Sequence, residues 1–221
     1  QSLDIQTLID KYGSPLYVYD GNLIETCYNN LANALKPING HIHYAIKAND
    51  NLGIIKLLNT LGSGADVVSI GELKKCIKAG IKPQKIIFSG VGKDLEEIQF
   101  AILNKIKQIN IESIEELEDI ISISKKLKKT VNVAIRVNLD ISPQTHKKIS
   151  TGDENSKFGV SLRNVVRAYK IISKEHFIKP AGLAIHIGSQ IFDINLLNET
   201  YSKLKQVALS LIKQGLKVEN L

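Results

Sequence analysis

Short β-rich runs separated by longer segments of helical period fill most of the sequence, and this alternation restricts the fold more than any other feature. The runs are HIHYAIKA (41–48), GADVVS (64–69), KIIFSG (85–90), QINIES (108–113), VNVAIRVN (131–138) and GLAIHIG (182–188). In the first five, equivalent positions recur about every 19 to 24 residues, room for one strand, one helix and two short loops. Such a series is the signature of consecutive βα units on a parallel sheet. The helices carry matching punctuation. The segment Gly71 to Ala79 closes on Gly80, and Asp94 opens a helix with Glu96 and Glu97 in its first turn. Ser113 with Glu116 three residues on forms a capping box for a helix running to about Lys129. An amphipathic helix (3–12) and an extended run, PLYVYD (15–20), lead in. No repeat, low-complexity linker or hinge divides residues 1–221, which read as one domain.

Alternation inside the runs narrows the fold further. Leu183, Ile185 and Ile187 oppose Ala184, His186 and Gly188, and Val133, Ile135 and Val137 oppose Asn132, Ala134, Arg136 and Asn138. Ile109 and Ile111 likewise oppose Asn110 and Glu112. A doubly wound sheet, covered by helices on both faces, would make both sets aliphatic. One aliphatic and one small or polar face suit a TIM-like (β/α)8 barrel of the α/β class, with about six of its eight units present. The polar residues lie late in their strands: Lys47, Asp66, Ser89, Glu112, Arg136 with Asn138, and His186. In a barrel they converge on one mouth. Alternatively, several of them, Asn110, Asn138 and Glu112 above all, satisfy one another inside it.

Composition excludes other classes. The 29 Lys+Arg against 22 Asp+Glu give a net charge of +7, but the only arginines are Arg136, Arg163 and Arg167. The lysines are scattered among abundant Ile and Asn, as AT-rich codons would place them, so the charge does not imply a nucleic-acid partner. The runs KKLKK (125–129) and HKK (146–148) read as a solvated helix face and a loop. No apolar stretch approaches the roughly eighteen residues of a membrane span, and QSLDIQTLID has acids where a signal peptide has a basic end. Cys27 and Cys76 are far apart, with no clustered His, so neither a metal site nor a disulfide framework is expected. Each reads as a buried or half-buried inert thiol in a helix. Together these features point to a cytoplasmic protein with no membrane partner.

Lys47 stands out. A lysine in an apolar strand loses hydration worth several kcal/mol unless it is paired or neutralised. Alternation puts it on the inward face with His43 and Ala45, just before a loop rich in Asn and Asp. A desolvated amine attacks carbonyls and forms Schiff bases. Asp66, level with it on the next strand, could partner its charge, so a Schiff-base lysine and a structural ion pair both remain open.

HYAIKAND (43–50) resembles the cofactor-lysine motif of the fold-type III pyridoxal-phosphate enzymes. The resemblance continues through GADVVSIGEL (64–73), KIIFSGVGKD (85–94), IRVNLDISPQTHKKISTG (135–152), SKFGV (156–160) and HIGSQI (186–191), in the family's order and spacing. The TH…ISTG…KFG loop and the HIGSQ segment are similar to those of its diaminopimelate decarboxylase branch and unlike those of its racemases. The resemblance implies that Lys47 holds pyridoxal 5'-phosphate, that His186 lies against the pyridine ring and that Ser189 contacts the phosphate. Asp66 and Arg136 would line the cofactor pocket. It further implies decarboxylation of meso-2,6-diaminopimelate to L-lysine, a small amino-acid substrate and a homodimer. Another decarboxylase or racemase of the family, or a non-catalytic cofactor-binding fragment, is the alternative.

The family's glycine-rich phosphate cradle, its acid for the ring nitrogen, its EPGR-type segment and its carboxyl-terminal β-domain with a catalytic Cys have no counterpart among these motifs. Cys27 and Cys76, in helices of the first half, do not match that Cys. KVENL (217–221) reads as the approach to a seventh strand. A complete barrel needs about 250 residues, so the expectation is a truncated barrel with an open edge and without the β-domain. Such a chain by itself should show little turnover, and robust lysine production from the purified chain would overturn that expectation.

Overall fold

The computed structural model describes residues 4–141, 158–189 and 191–221. It divides into two compact units, Gln1–Gly40 and His41–Leu221. The first holds α1 (Ile5–Tyr12) and α2 (Gly21–Leu35). Asp4 caps α1 by accepting from the Thr7 backbone N–H at 3.1 Å, and Asp20 caps α2 by accepting from those of Asn22 and Leu23. The PLYVYD run between them forms no strand.

The second unit alternates strands and helices along its length. Its strands are β1 (His43–Ala45), β2 (Gly64–Val67), β3 (Ile86–Phe88), β4 (Gln108–Ile111), β5 (Val131–Asn138), β6 (Val160–Ser161) and β7 (Ile178–Ala184). Its helices are α3 (Leu52–Leu61), α4 (Ile70–Lys78), α5 (Leu95–Leu103), α6 (Ile114–Leu127), α7 (Leu162–Ile172) and α8 (Ile194–Lys213). All strand pairs are parallel, and β1 to β5 lie side by side in chain order with β7 next to β5. The short β6 pairs with Val137 and Asn138 at the end of β5. Among the described strands the order does not reverse about a central strand, as it must in a doubly wound sheet. One-directional winding is the arrangement of barrel βα units.

The sheet has the two faces that the alternation requires. Ala65, Val67, Ile86, Phe88, Ile109, Ile111, Val133, Ile135 and Leu183 are buried in one core with Ile55, Leu73, Ile98, Leu117, Ile120, Val165 and Leu204 of the helices. The capping expectations for Ser113 and Asp94 hold in part and in full: Ser113 accepts from the Glu116 N–H, and Asp94 with Glu97 makes a complete capping box.

Four details differ from expectation, the first being the short β6, which corresponds to none of the six expected runs. Lys47 lies past β1, on a 3-10 turn (Ile46–Ala48), rather than within a strand. The last expected run is shifted, because the strand is 178–184 and His186 lies beyond it. Pro180 obscures this strand in the sequence, since it lacks an N–H for the ladder. The register shift opposite Val133 and Ala134 accommodates it. Cys27, finally, is exposed rather than buried, whereas Cys76 is buried as expected. The HKK run and most of the TH…ISTG…KFG loop lie outside the described residues. At the far end, Asn220 pairs with β7, accepting from Leu183 N–H at 3.1 Å and donating to the Ala181 carbonyl at 3.0 Å, which is where the approach to a further strand was expected.

At the amino-terminal ends of the strands, Lys107, His43 and the Lys85 carbonyl form a polar chain. The Lys107 ammonium donates to His43 Nε2 at 3.1 Å, so the His43 proton sits on Nδ1 and is donated to the Lys85 carbonyl at 3.0 Å. The ring passes over Gly64. A β-carbon there would collide with His43 Nδ1 and the Lys85 backbone oxygen. Gly64→Ala is therefore expected to destabilise the fold by about 1–3 kcal/mol, read as a lower urea midpoint at unchanged slope.

Candidate active site at the carboxyl ends of the strands

Lys47 is held from both sides. Ile46, fully buried, anchors the turn in the core, and Asn51 caps the following α3 by accepting from Gly53 N–H at 2.8 Å. Between these two anchors the Lys47 side chain is exposed. The desolvation expected of a strand lysine is therefore not what singles it out. Its neighbours are.

Asp66, on the inward face of β2, accepts from Ser89 Oγ at 2.6 Å. Ser89 in turn accepts from Asn110 Nδ2 at 2.9 Å, and Asn110 Oδ1 accepts from Gln108 Nε2 at 2.9 Å. Burial raises the Asp66 pKa above the usual carboxylate value, while the Ser89 hydrogen bond, the Lys47 ammonium and the Arg136 guanidinium pull it back. His186, half-buried beyond β7, is pushed down to about 4 by burial first and then by the Lys47 and Arg136 charges, with Glu112 opposing them. Its ring is thus a neutral imidazole at physiological pH.

Arg136, on β5, donates from NH1 to Glu112 Oε1 at 2.7 Å and from NH2 to the His186 carbonyl at 3.4 Å. Its guanidinium carbon lies 5.2 Å from the centre of the Phe158 ring. Glu112 also accepts from the backbone N–H groups of Gly90 (3.2 Å, Oε1) and Gly159 (3.1 Å, Oε2). A second buried ion pair lies behind it. Lys93 Nζ, fully buried, is 2.5 Å from Glu116 Oε1, contacts the Gly90 carbonyl, and sits 5.8 Å from the Phe88 ring centre. Glu116 Oε2 accepts from the Glu112 N–H at 2.7 Å.

Lys47, Asp66, Arg136 and His186 thus form one electrostatic cluster at the carboxyl ends of the strands. Ser189 lies just beyond His186 on an exposed bend, after Gly188, whose φ of 146° suits glycine. Asn110 has the structural role that was its alternative reading, and Asn138 accepts from the Asp140 N–H at 2.9 Å in a local turn. Lys93 and Glu116 were not legible as a pair, because Glu116 reads locally as the capping-box partner of Ser113 and nothing local marks Lys93 as its partner. Burial pushes the Cys76 thiol up to about 12, which leaves it inert.

A separate cleft of about 500 Å³ opens at the other ends of β4 and β5, lined by Lys105, Lys107, Thr130 and Asn132 among others, remote from this cluster. Among the described residues no group of His, Cys, Asp and Glu side chains could hold a metal ion, and no helix is long and apolar enough to cross a membrane.

The donor set suits pyridoxal phosphate. An accessible amine fits an aldehyde, a neutral imidazole fits an aromatic ring face, and a paired guanidinium with a hydroxyl-bearing glycine bend fits anionic oxygens. Comparison with known proteins agrees. Residues 22–221 match the family model described as pyridoxal-dependent decarboxylase, pyridoxal binding domain. The chain is 42% identical over 211 residues to a diaminopimelate decarboxylase of Helicobacter pylori strain J99, covering 96% of this chain and 52% of that protein. To the diaminopimelate decarboxylase of Aquifex aeolicus it is 40% identical over 221 residues, covering 100% and 52%. The crystal structure of the Helicobacter pylori enzyme complexed with L-lysine superposes with a TM-score of 0.94 at 40% identity, covering 97% of this chain and 55% of that one. That of the M. jannaschii enzyme with L-lysine gives 0.90 at 37% identity, covering 97% and 51%. The chain therefore spans about half the length of the relatives it matches, and its strands are those of their TIM-like barrel.

His43 and His186 also contribute to the acid response. His43 is pushed down to about 4 by burial and by Lys107, from an ordinary 6.5. Between those values the unfolded chain binds protons that the folded chain refuses. Stability from both rings is full above pH 6.5 and is lost as the pH falls towards 4. Asp66 and Glu116, raised by burial, act in the opposite sense. The urea midpoint is expected to drop between pH 7 and pH 5, and to drop less in His43→Gln and in His186→Gln. Equal drops in all three proteins would contradict this assignment.

Proposed function

This chain belongs to the pyridoxal-dependent decarboxylase family, and on that premise we propose that it supplies the pyridoxal-phosphate site of an enzyme converting meso-2,6-diaminopimelate to L-lysine and carbon dioxide. The observation that carries the proposal is the placement of Lys47. Its exposed amine stands at the strand ends where Asp66, Arg136 and His186 converge. Relatives near 40% identity named diaminopimelate decarboxylase, two of them with structures holding L-lysine, support the substrate.

In this reading Lys47 holds the cofactor covalently through its amine. Asp66 balances the cationic charge at that end of the site, and the Ser89 hydroxyl keeps the Asp66 carboxylate oriented as an acceptor. The neutral His186 ring provides a flat, uncharged wall that fixes the plane of an aromatic ligand without adding repulsion to the Lys47 cation. Arg136, held by Glu112, presents a fixed positive charge, and Ser189 with its adjoining backbone receives phosphate oxygens. When bound, pyridoxal phosphate supplies the electron sink that stabilises the charge left by the departing carboxylate. The proposal extends to a small amino-acid substrate, a homodimer and a cytoplasmic location.

The test is reductive trapping. Borohydride treatment with pyridoxal phosphate is expected to label the peptide containing Lys47, and Lys47→Ala to lose that label. Assayed in the intact polypeptide that carries residues 1–221, Lys47→Ala should lower carbon dioxide release from diaminopimelate by about a thousandfold or more. Undiminished labelling in Lys47→Ala would sink the site. Faster turnover of ornithine, arginine or alanine would sink the substrate.

A further inference from the structure

We propose that Glu112 is a positioning residue of this site: its carboxylate fixes the Arg136 guanidinium beside His186 and ties three loops of the mouth into one frame. The inference rests on the functional reading above. Its basis is geometric. Glu112 is 5% exposed and Arg136 9%, so each charge depends on the other. The carboxylate receives three donors from three segments: Arg136 NH1 at 2.7 Å, Gly90 N–H at 3.2 Å after β3, and Gly159 N–H at 3.1 Å ahead of β6. Arg136 passes the constraint on to a fourth, through NH2 to the carbonyl of His186.

The chemistry requires an anion at this position. A glutamine of the same shape would have only one acceptor oxygen for three donors. Its amide would turn an N–H towards either Gly159 or the Gly90 and Arg136 groups, leaving a buried donor unmet. Deeper on β4, the inward positions are served by an uncharged amide pair, Gln108 with Asn110. The charged pair stands at the strand ends, level with the cluster. There Lys47 and Arg136 are the cations facing His186, Glu112 is the anion opposing them, and Asp66 and Glu72 complete the charged surroundings.

The test uses the intact polypeptide and pyridoxal phosphate as the probe, with variants Glu112→Gln, Arg136→Lys and their combination. Each single change should weaken pyridoxal-phosphate binding about tenfold, and the double variant should bind no more weakly than the worse single one. A purely structural role would not move a second readout, the pH midpoint of the absorbance of the Lys47-bound cofactor. In Glu112→Gln the unbalanced Arg136 cation should shift that midpoint to lower pH, whereas Glu112→Asp, which keeps the charge but shortens the reach, should bind several-fold more weakly at an unchanged midpoint. Additive losses in the double variant, or wild-type affinity and midpoint in Glu112→Gln, would overturn the proposal. If Glu112→Gln does not fold, wild-type affinity in Glu112→Asp overturns it instead. Failure of the wild type to bind pyridoxal phosphate on Lys47 marks the different case in which the functional reading itself is wrong.

Discussion

Parallel pairing in chain order is the constraint on which everything else depends. A strand turns successive side chains to opposite faces, so a one-residue slip in any pair would exchange aliphatic and polar sets across the whole sheet. The register keeps Ala65 and Val67 level with Ile86 and Phe88 on the helix side. The same register brings Asp66 and Ser89 close enough to hydrogen-bond on the other side. One geometric rule thus builds the core and the site at once, and the site costs the core nothing, because its residues occupy the face the helices do not use.

The helix-facing half of this arrangement was legible in the sequence, because hydrophobic period and capping act locally. The βα spacing, the aliphatic set and the caps at Asp94 and Ser113 all depend on residues within one turn or one strand. That Lys47, Asp66, Arg136 and His186 gather at one end of the sheet was legible as well, because strand ends in such a series must share one mouth. What could not be read is whatever depends on contacts between distant segments. The pairing of Lys93 with Glu116, the three donors on Glu112 and the register shift that accommodates Pro180 within β7 each require the assembled sheet. Lys47 is instructive in the same way. Desolvation does not distinguish it, since the residue is exposed, and what sets it apart is the set of charged groups around it.

Charge in the described mouth is organised in two layers. The outer layer, Lys47, Asp66 and His186, meets solvent or ligand. The inner one, Glu112 with Arg136 and Glu116 with Lys93, is buried and internally neutral, with one cation per anion. Paired charges of this kind lock loops together, and Glu112 offsets part of the field that Arg136 exerts on His186. Rigid support beneath an accessible amine is the preorganisation that a covalently held ligand requires.

The row from Gln108 through Asn110 and Ser89 to Asp66 has a further property, its polarity. Every donor in it points the same way, towards the carboxylate. Asp66 as a terminal acceptor thereby dictates how each amide and hydroxyl behind it is turned, and their dipoles add along the row. The protonation state of one side chain at the mouth is in this sense written into the orientation of groups several ångströms deeper, and reversing it would ask the whole row to turn round.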